Sequence, residues 1–107
     1  MSATIEMVSF KLNEGATTAD ILATSPAISA WVIQQAGFQY RSLAQQSDGQ
    51  WLDIVYWESL EHAQQAGEAF MKATEPKAMM AFIDKTSVSV QHIPVMDYVL
   101  APELAGA

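Results

Sequence analysis

The chain contains no cysteine, which excludes disulfides, thiolate catalysis and cysteine metal sites. Charge is also scarce: 16% of residues are Asp, Glu, Lys or Arg, against about 25% in an average domain. The basic residues Lys11, Arg41, Lys72, Lys77 and Lys85 are scattered, and the net charge is −7. Nucleic acid is therefore excluded as a partner, because phosphate binding needs clustered Lys and Arg. No apolar run approaches the roughly 18 residues a membrane span needs, and MSATIEMVSF lacks the basic-then-apolar order of a leader. No membrane association is expected, and a cytoplasmic location is. Gly15, Gly37, Gly49 and Gly67 stand apart and form no phosphate-cradling loop. The histidines, His62 and His92, have no third ligand at a suggestive spacing, so neither a metal nor a cofactor is expected.

What is present is apolar. Half of the 107 residues are hydrophobic, in a chain of one-domain length. A domain this small buries only about two thirds of its unfolded surface. The excess of apolar side chains points to an interface, and hence to a homodimer.

Alternation over Thr4–Leu12 predicts a strand with Val8, Phe10 and Leu12 on one face and Ile5 and Met7 on the other. Thr17 with Asp20 forms a capping-box signature for a helix. Ser25 before Pro26 reads as a fresh cap, so a short first segment and a longer one over Pro26–Ala36 are expected, with Gly37 as the stop.

The stretch Phe38–Ser59 is the centre of the chain: two aromatic and β-branched runs around Ser47-Asp48-Gly49. With Gly49 left-handed in a three-residue loop, Gln46 pairs with Gln50. One face then carries Phe38, Tyr40, Ser42 and Ala44 opposite Glu58, Tyr56, Ile54 and Leu52. The other carries Arg41 and Leu43 with Trp57, Val55, Asp53 and Trp51. The first face is the more apolar and is expected under the helices; the second, with a diagonal Arg41–Asp53 pair, suits a subunit contact.

Ser59 caps a second helix whose Ala63, Ala66 or Gly67, and Phe70 form a narrow stripe. Lys77–Asp84 reads as one or two further helical turns burying Met79, Phe82 and Ile83. Thr86–Val95 reads as a fourth strand with Val88, Val90 and His92 on one face, and Pro94 favours an edge. The tail, 96–107, with Tyr98, Val99, Leu100 and Leu104, is too apolar to be free and is expected to pack on a neighbouring subunit.

The order βαββαβ is that of the ferredoxin-like α+β sandwich, a four-stranded antiparallel sheet with helices on one face. A second copy would have to cover the bare face. At Gly37-Phe38, the glycine turn and Trp57-Glu58-Ser59, the chain resembles the dimeric α+β barrel superfamily, in its antibiotic-biosynthesis-monooxygenase-like branch, over about residues 4–95. The resemblance implies a homodimer closing a barrel, with a cavity in each subunit between sheet and helices. Haem-degrading members carry an Asn on strand one and a Trp and a ligating His along the second helix. Here Asn13 follows the strand, that helix has no Trp, and His62 comes too early. The cofactor-free monooxygenases use the same tryptophan, whose absence weakens that parallel too.

The expected ligand is a small apolar molecule, aromatic or fatty-acyl. His92, Tyr56 and Glu58 are the candidate catalytic groups, since an imidazole, a phenol and a carboxylate suffice for proton transfer. Tyr40, His62, Phe70, Met71, Met79 and Phe82 are the candidate ligand-binding residues, the methionines for their adaptable packing. Proton transfer or cofactor-free oxygenation is the chemistry these groups would support. The alternative is a non-catalytic dimerisation or interaction module whose core is filled by its own side chains.

Overall fold

A computed structural model describes residues 3–105; Met1, Ser2, residues 106–107 and the side chains of Leu104 and Ala105 lie outside it. The order is β1 (Thr4–Leu12), α1 (Thr18–Val32), β2 (Phe38–Gln45), β3 (Trp51–Trp57), α2 (Leu60–Lys72), a 3-10 helix (Glu75–Phe82), β4 (Ile83–Pro94) and α3 (Pro102–Ala105). The strands form one antiparallel sheet in the order β2-β3-β1-β4. This is the ferredoxin-like βαββαβ sandwich. Pro94 ends β4 on the sheet edge, where a missing N–H is tolerated.

The caps expected at Thr17 and Ser59 form, and the one expected at Ser25 does not. Thr17 and Asp20 bond reciprocally, at 3.2 Å and 2.9 Å, and Ser59 Oγ accepts from the His62 amide at 3.2 Å. The loop between β2 and β3 is also as the sequence predicts: Gln46 N donates to Gln50 O at 2.7 Å, and Gly49 has φ +92°. Arg41 pairs with Val55, Ser42 with Ile54 and Tyr40 with Tyr56. Beyond Tyr40 the ladder slips at Gln39, so Phe38 pairs with Trp57 rather than Glu58. The bulge turns Phe38 onto the helix side, where it meets the Trp57 ring edge-on at 6.0 Å.

Three expectations are corrected. First, α1 is one continuous helix with Pro26 inside it, and it stops at Val32 rather than Ala36. Thr24 Oγ1 bonds the Asp20 and Ile21 carbonyls in the turn before the proline. Gly37 is thus no helix stop. It takes φ +82° in the turn leading to β2, and a β-carbon there would fall within 2.6 Å of His62 Cβ. Second, the Lys77–Asp84 turns are 3-10 and begin at Glu75, and β4 starts at Ile83, three residues before Thr86.

Third, the faces of the β2–β3 hairpin are reversed. Trp51, Val55 and Trp57 are buried beneath the helices with Arg41, while Tyr40, Ser42, Ile54 and Tyr56 lie on the open side. Two tryptophans bury more area than the tyrosines and Ile54 would. The charged pair goes in with them because its partners are supplied from α1. Arg41 Nε and Nη2 hold Asp53 at 3.1 Å and 2.9 Å, and Nη1 donates to Ser25 and Ser29 at 3.0 Å and 2.8 Å. Arg41 and Asp53 therefore join α1 to the sheet within one subunit instead of marking a subunit contact.

Candidate functional site

The helices do not fill the space above the sheet. Where α2 crosses β1 and β3 its buried residues are only Ala63 and Ala66, so the backbones stay close at one end while larger side chains are missing along the middle. A cavity of about 250 Å³ results. Its floor is Val8 and Phe10 of β1, Val55 and Trp57 of β3, and Val88 and Val90 of β4; its roof is Ile28, Trp31 and Val32 of α1, Gly67 and Phe70 of α2, and Met79 and Met80. Trp31 and Phe70 meet edge-on at 5.4 Å. A cavity of roughly 150 Å³ holds one benzene ring, so this one suits about two fused rings.

Three charged side chains reach the wall: Glu6, Arg41 and Asp53. Arg41 and Asp53 neutralise one another, and their side chains are 6% and 14% exposed. Glu6 is different. It shares a strand face with Val8 and Phe10, and its Oε1 accepts from Trp57 Nε1 at 3.1 Å. Its Oε2 looks across to His92, the residue directly opposite on β4, whose Nε2 is 3.6 Å away. Beyond Glu6 the cavity meets a shallow open groove between α2 and β4, walled by Gln64, Glu68, Met71, Val90 and His92. Glu6, Gly67 and Val90 border both spaces.

The expected site residues separate accordingly. Phe70 and Met79 line the cavity, and His92 stands in the groove at its mouth. Met71, 74% exposed, belongs to the groove and not to the cavity roof. Phe82 packs against the core around Phe10 and Met79. His62 Nδ1 lies 2.7 Å from Ser59 Oγ, and its ring fills the space over Gly37. Tyr40 and Tyr56 meet edge-on at 6.1 Å on the open side of the sheet, and Glu58 is exposed beyond the end of β3. The helix-side cluster of Tyr40, Tyr56 and Glu58 expected from the sequence therefore does not form, because the reversed hairpin carries the tyrosines away from the cavity.

Two features of the site were passed over in the sequence. Glu6 is a lone carboxylate alternating with Val8 and Phe10, and that pattern could have drawn attention to it. Ser25 and Ser29, spaced one helical turn apart, foreshadow the burial of Arg41. Among the described residues there is no group of three or more His, Asp or Glu side chains that could hold a metal ion, and no helix is long and apolar enough to cross a membrane.

No protein-family profile and no curated protein matches the sequence. Solved structures do match. A putative antibiotic biosynthesis monooxygenase from Bordetella bronchiseptica aligns over 94% of this chain and 100% of its own, with a TM-score of 0.72 at 16% identity. The chain has the antibiotic-biosynthesis-monooxygenase-like fold. The same fold is found in SnoaB, a cofactor-independent oxygenase from Streptomyces nogalater, with a TM-score of 0.65, 15% identity and coverage of 95% and 99%. It recurs in the ActVA-Orf6 monooxygenase of Streptomyces coelicolor, solved with the ligand nanaomycin D, with a TM-score of 0.66, 14% identity and coverage of 94% and 93%. At these identities the monooxygenase-like likeness is one of fold.

Proposed function

We propose that the protein is a homodimer that holds a small, largely aromatic molecule between its sheet and helices and moves a proton on it. The observation that carries this reading is the cavity itself: about 250 Å³, with apolar walls interrupted by three charged side chains, Glu6, Arg41 and Asp53. A core filled by its own side chains would favour a non-catalytic module, and the open volume argues for the ligand-binding alternative.

His92 and Glu6 are the groups suited to the chemistry. They are cross-strand neighbours at the mouth, 3.6 Å apart, and the carboxylate would stabilise the imidazolium once the ring takes a proton. Abstraction from a phenolic substrate would leave an electron-rich anion. Oxygenation of that anion by dioxygen, without a cofactor, is the extension suggested by SnoaB, described as a cofactor-independent oxygenase. The Streptomyces coelicolor monooxygenase of the same fold, solved with the ligand nanaomycin D, supports a small-molecule ligand.

The homodimer rests on the uncovered side of the sheet. Ile5, Met7, Leu52, Ile54 and Tyr56 lie there without a helix over them, and Tyr40 is 55% exposed. Met96, Tyr98, Val99 and Leu100 of the tail are exposed as well and would extend the contact.

Native mass spectrometry of the purified protein tests the reading. A dimer carrying a small molecule lost on His92→Ala is the expected result. A ligand-free protein that binds no two-ring aromatic compound at millimolar concentration would exclude it.

A further inference from the structure

The cavity wall is unbalanced in its hydrogen-bonding capacity. Arg41 spends four of the guanidinium's five N–H groups on Asp53, Ser25 and Ser29, and its charge is cancelled by the carboxylate it holds in a fork. Asp53 is likewise engaged through both oxygens. Trp57 gives its only N–H to Glu6. That leaves Glu6 Oε2. Its side chain is 18% exposed, and among the described residues nothing donates to this oxygen; His92 Nε2, at 3.6 Å, is beyond hydrogen-bond reach. A carboxylate in so apolar a wall is a strong acceptor without a donor, and the Trp57 bond fixes which oxygen is left open.

We propose that Glu6 sets the specificity of the cavity: it selects an apolar ligand bearing a hydrogen-bond donor, a phenolic hydroxyl or a protonated amine, and rejects the same skeleton bearing a carboxylate. This rests on the ligand-binding reading above and sharpens it. A donor placed against Oε2, at the mouth of the cavity, makes a charge-assisted hydrogen bond. The rings of Trp31, Trp57 and Phe70 line the cavity, and an aromatic wall favours an aromatic or cationic ligand. A carboxylate in the same pose would set two like charges together, with Arg41 already neutralised. A free fatty acid is thus a poor fit on grounds of charge, independently of its length.

Three probes with one skeleton test the inference: 2-naphthol, 2-naphthylmethylamine and 2-naphthoate, titrated calorimetrically into the full chain at about pH 8, above the ordinary range of imidazole. The naphthol, the amine or both should bind at least ~10-fold more tightly than the naphthoate. Which of the two binds better tells whether the natural ligand is a phenol or an amine. Glu6→Gln keeps an acceptor for Trp57 while removing the charge, and should weaken the amine by ~10-fold or more and narrow the gap to the naphthoate. If Glu6→Gln does not fold, the ranking of the three probes on the unaltered chain decides. Naphthoate binding as tightly as the others overturns the specificity inference, redirects the polar contact to Arg41 and leaves the ligand-binding reading standing. Failure of all three to bind removes both.

Discussion

At Gly37 two constraints meet in one residue. The backbone needs φ +82°, which costs an L-residue about 1–2 kcal/mol, and the space a β-carbon would take is filled by His62. Gly15 has nearly the same φ, +88°, but open space around it. Gly15→Ala should therefore cost about 1 kcal/mol and Gly37→Ala about 3 kcal/mol or more, measured by urea denaturation. Trimming His62 to alanine gives little relief, since its own Cβ is among the obstructing atoms. The Arg41–Asp53 pair makes a second residue-scale test. Asp53→Ala strands a buried guanidinium and should destabilise by about 3–5 kcal/mol, whereas the double change Arg41→Met with Asp53→Leu should be close to neutral. The site separates in the same way. His92→Ala should weaken aromatic-ligand binding several-fold and Tyr56→Phe should leave it unchanged, because Tyr56 is on the far side of the sheet. Equal losses in calorimetry would contradict that division.

Among the elements, α1 carries the clearest local conflict. Pro26 sits in mid-helix with no N–H to give the Leu22 carbonyl, and Leu22 itself is 56% exposed. Pro26→Ala should raise stability by about 1–2 kcal/mol, less than the full propensity difference because the unfolded chain gains freedom. At this scale the structure is legible in the sequence where the signals are local. The Thr17–Asp20 box, the Ser59 cap and the Gly49 turn each depend on a few adjacent residues, and each forms. It is not legible where the outcome depends on distant partners. Judging faces by apolar count assigns Arg41 and Asp53 to a subunit contact, since nothing within the hairpin shows that Ser25 and Ser29 stand ready above them. Glu6 was missed for a related reason: a carboxylate on a buried face gains meaning only from Trp57 and His92, 51 and 86 positions away. The continuous α1 is a different lesson, in which tertiary packing of Ile21, Ile28 and Val32 outweighed the proline.

For the whole molecule, the testable quantity is the number of chains. Ile54 lies on the uncovered side of β3, a central strand of the sheet, so Ile54→Asp should convert a sedimenting dimer to monomer. Ending the chain at Val95 should weaken the dimer without unfolding the sheet. Wild-type protein that sediments as a monomer at micromolar concentration would refute the proposed association. The fold order that leads to this expectation is legible in the sequence, and the resemblance implies a cavity between sheet and helices; the size of that cavity is not legible. Its volume depends on how close α2 lies to the sheet, which alanines and a glycine set together with the rest of the packing.

That narrow seat has a dynamic corollary. A helix anchored by two methyl groups has little to hold it against local opening, while β1, hydrogen-bonded to neighbours on both edges, is among the last segments to open. Glu6 thus stands on a central strand and faces a thinly anchored wall. Amide exchange should be fast across 60–72 and slow across 4–12. An aromatic guest should slow the former far more than the latter, because it would pack against Gly67 and Phe70 of α2 and restrain that wall.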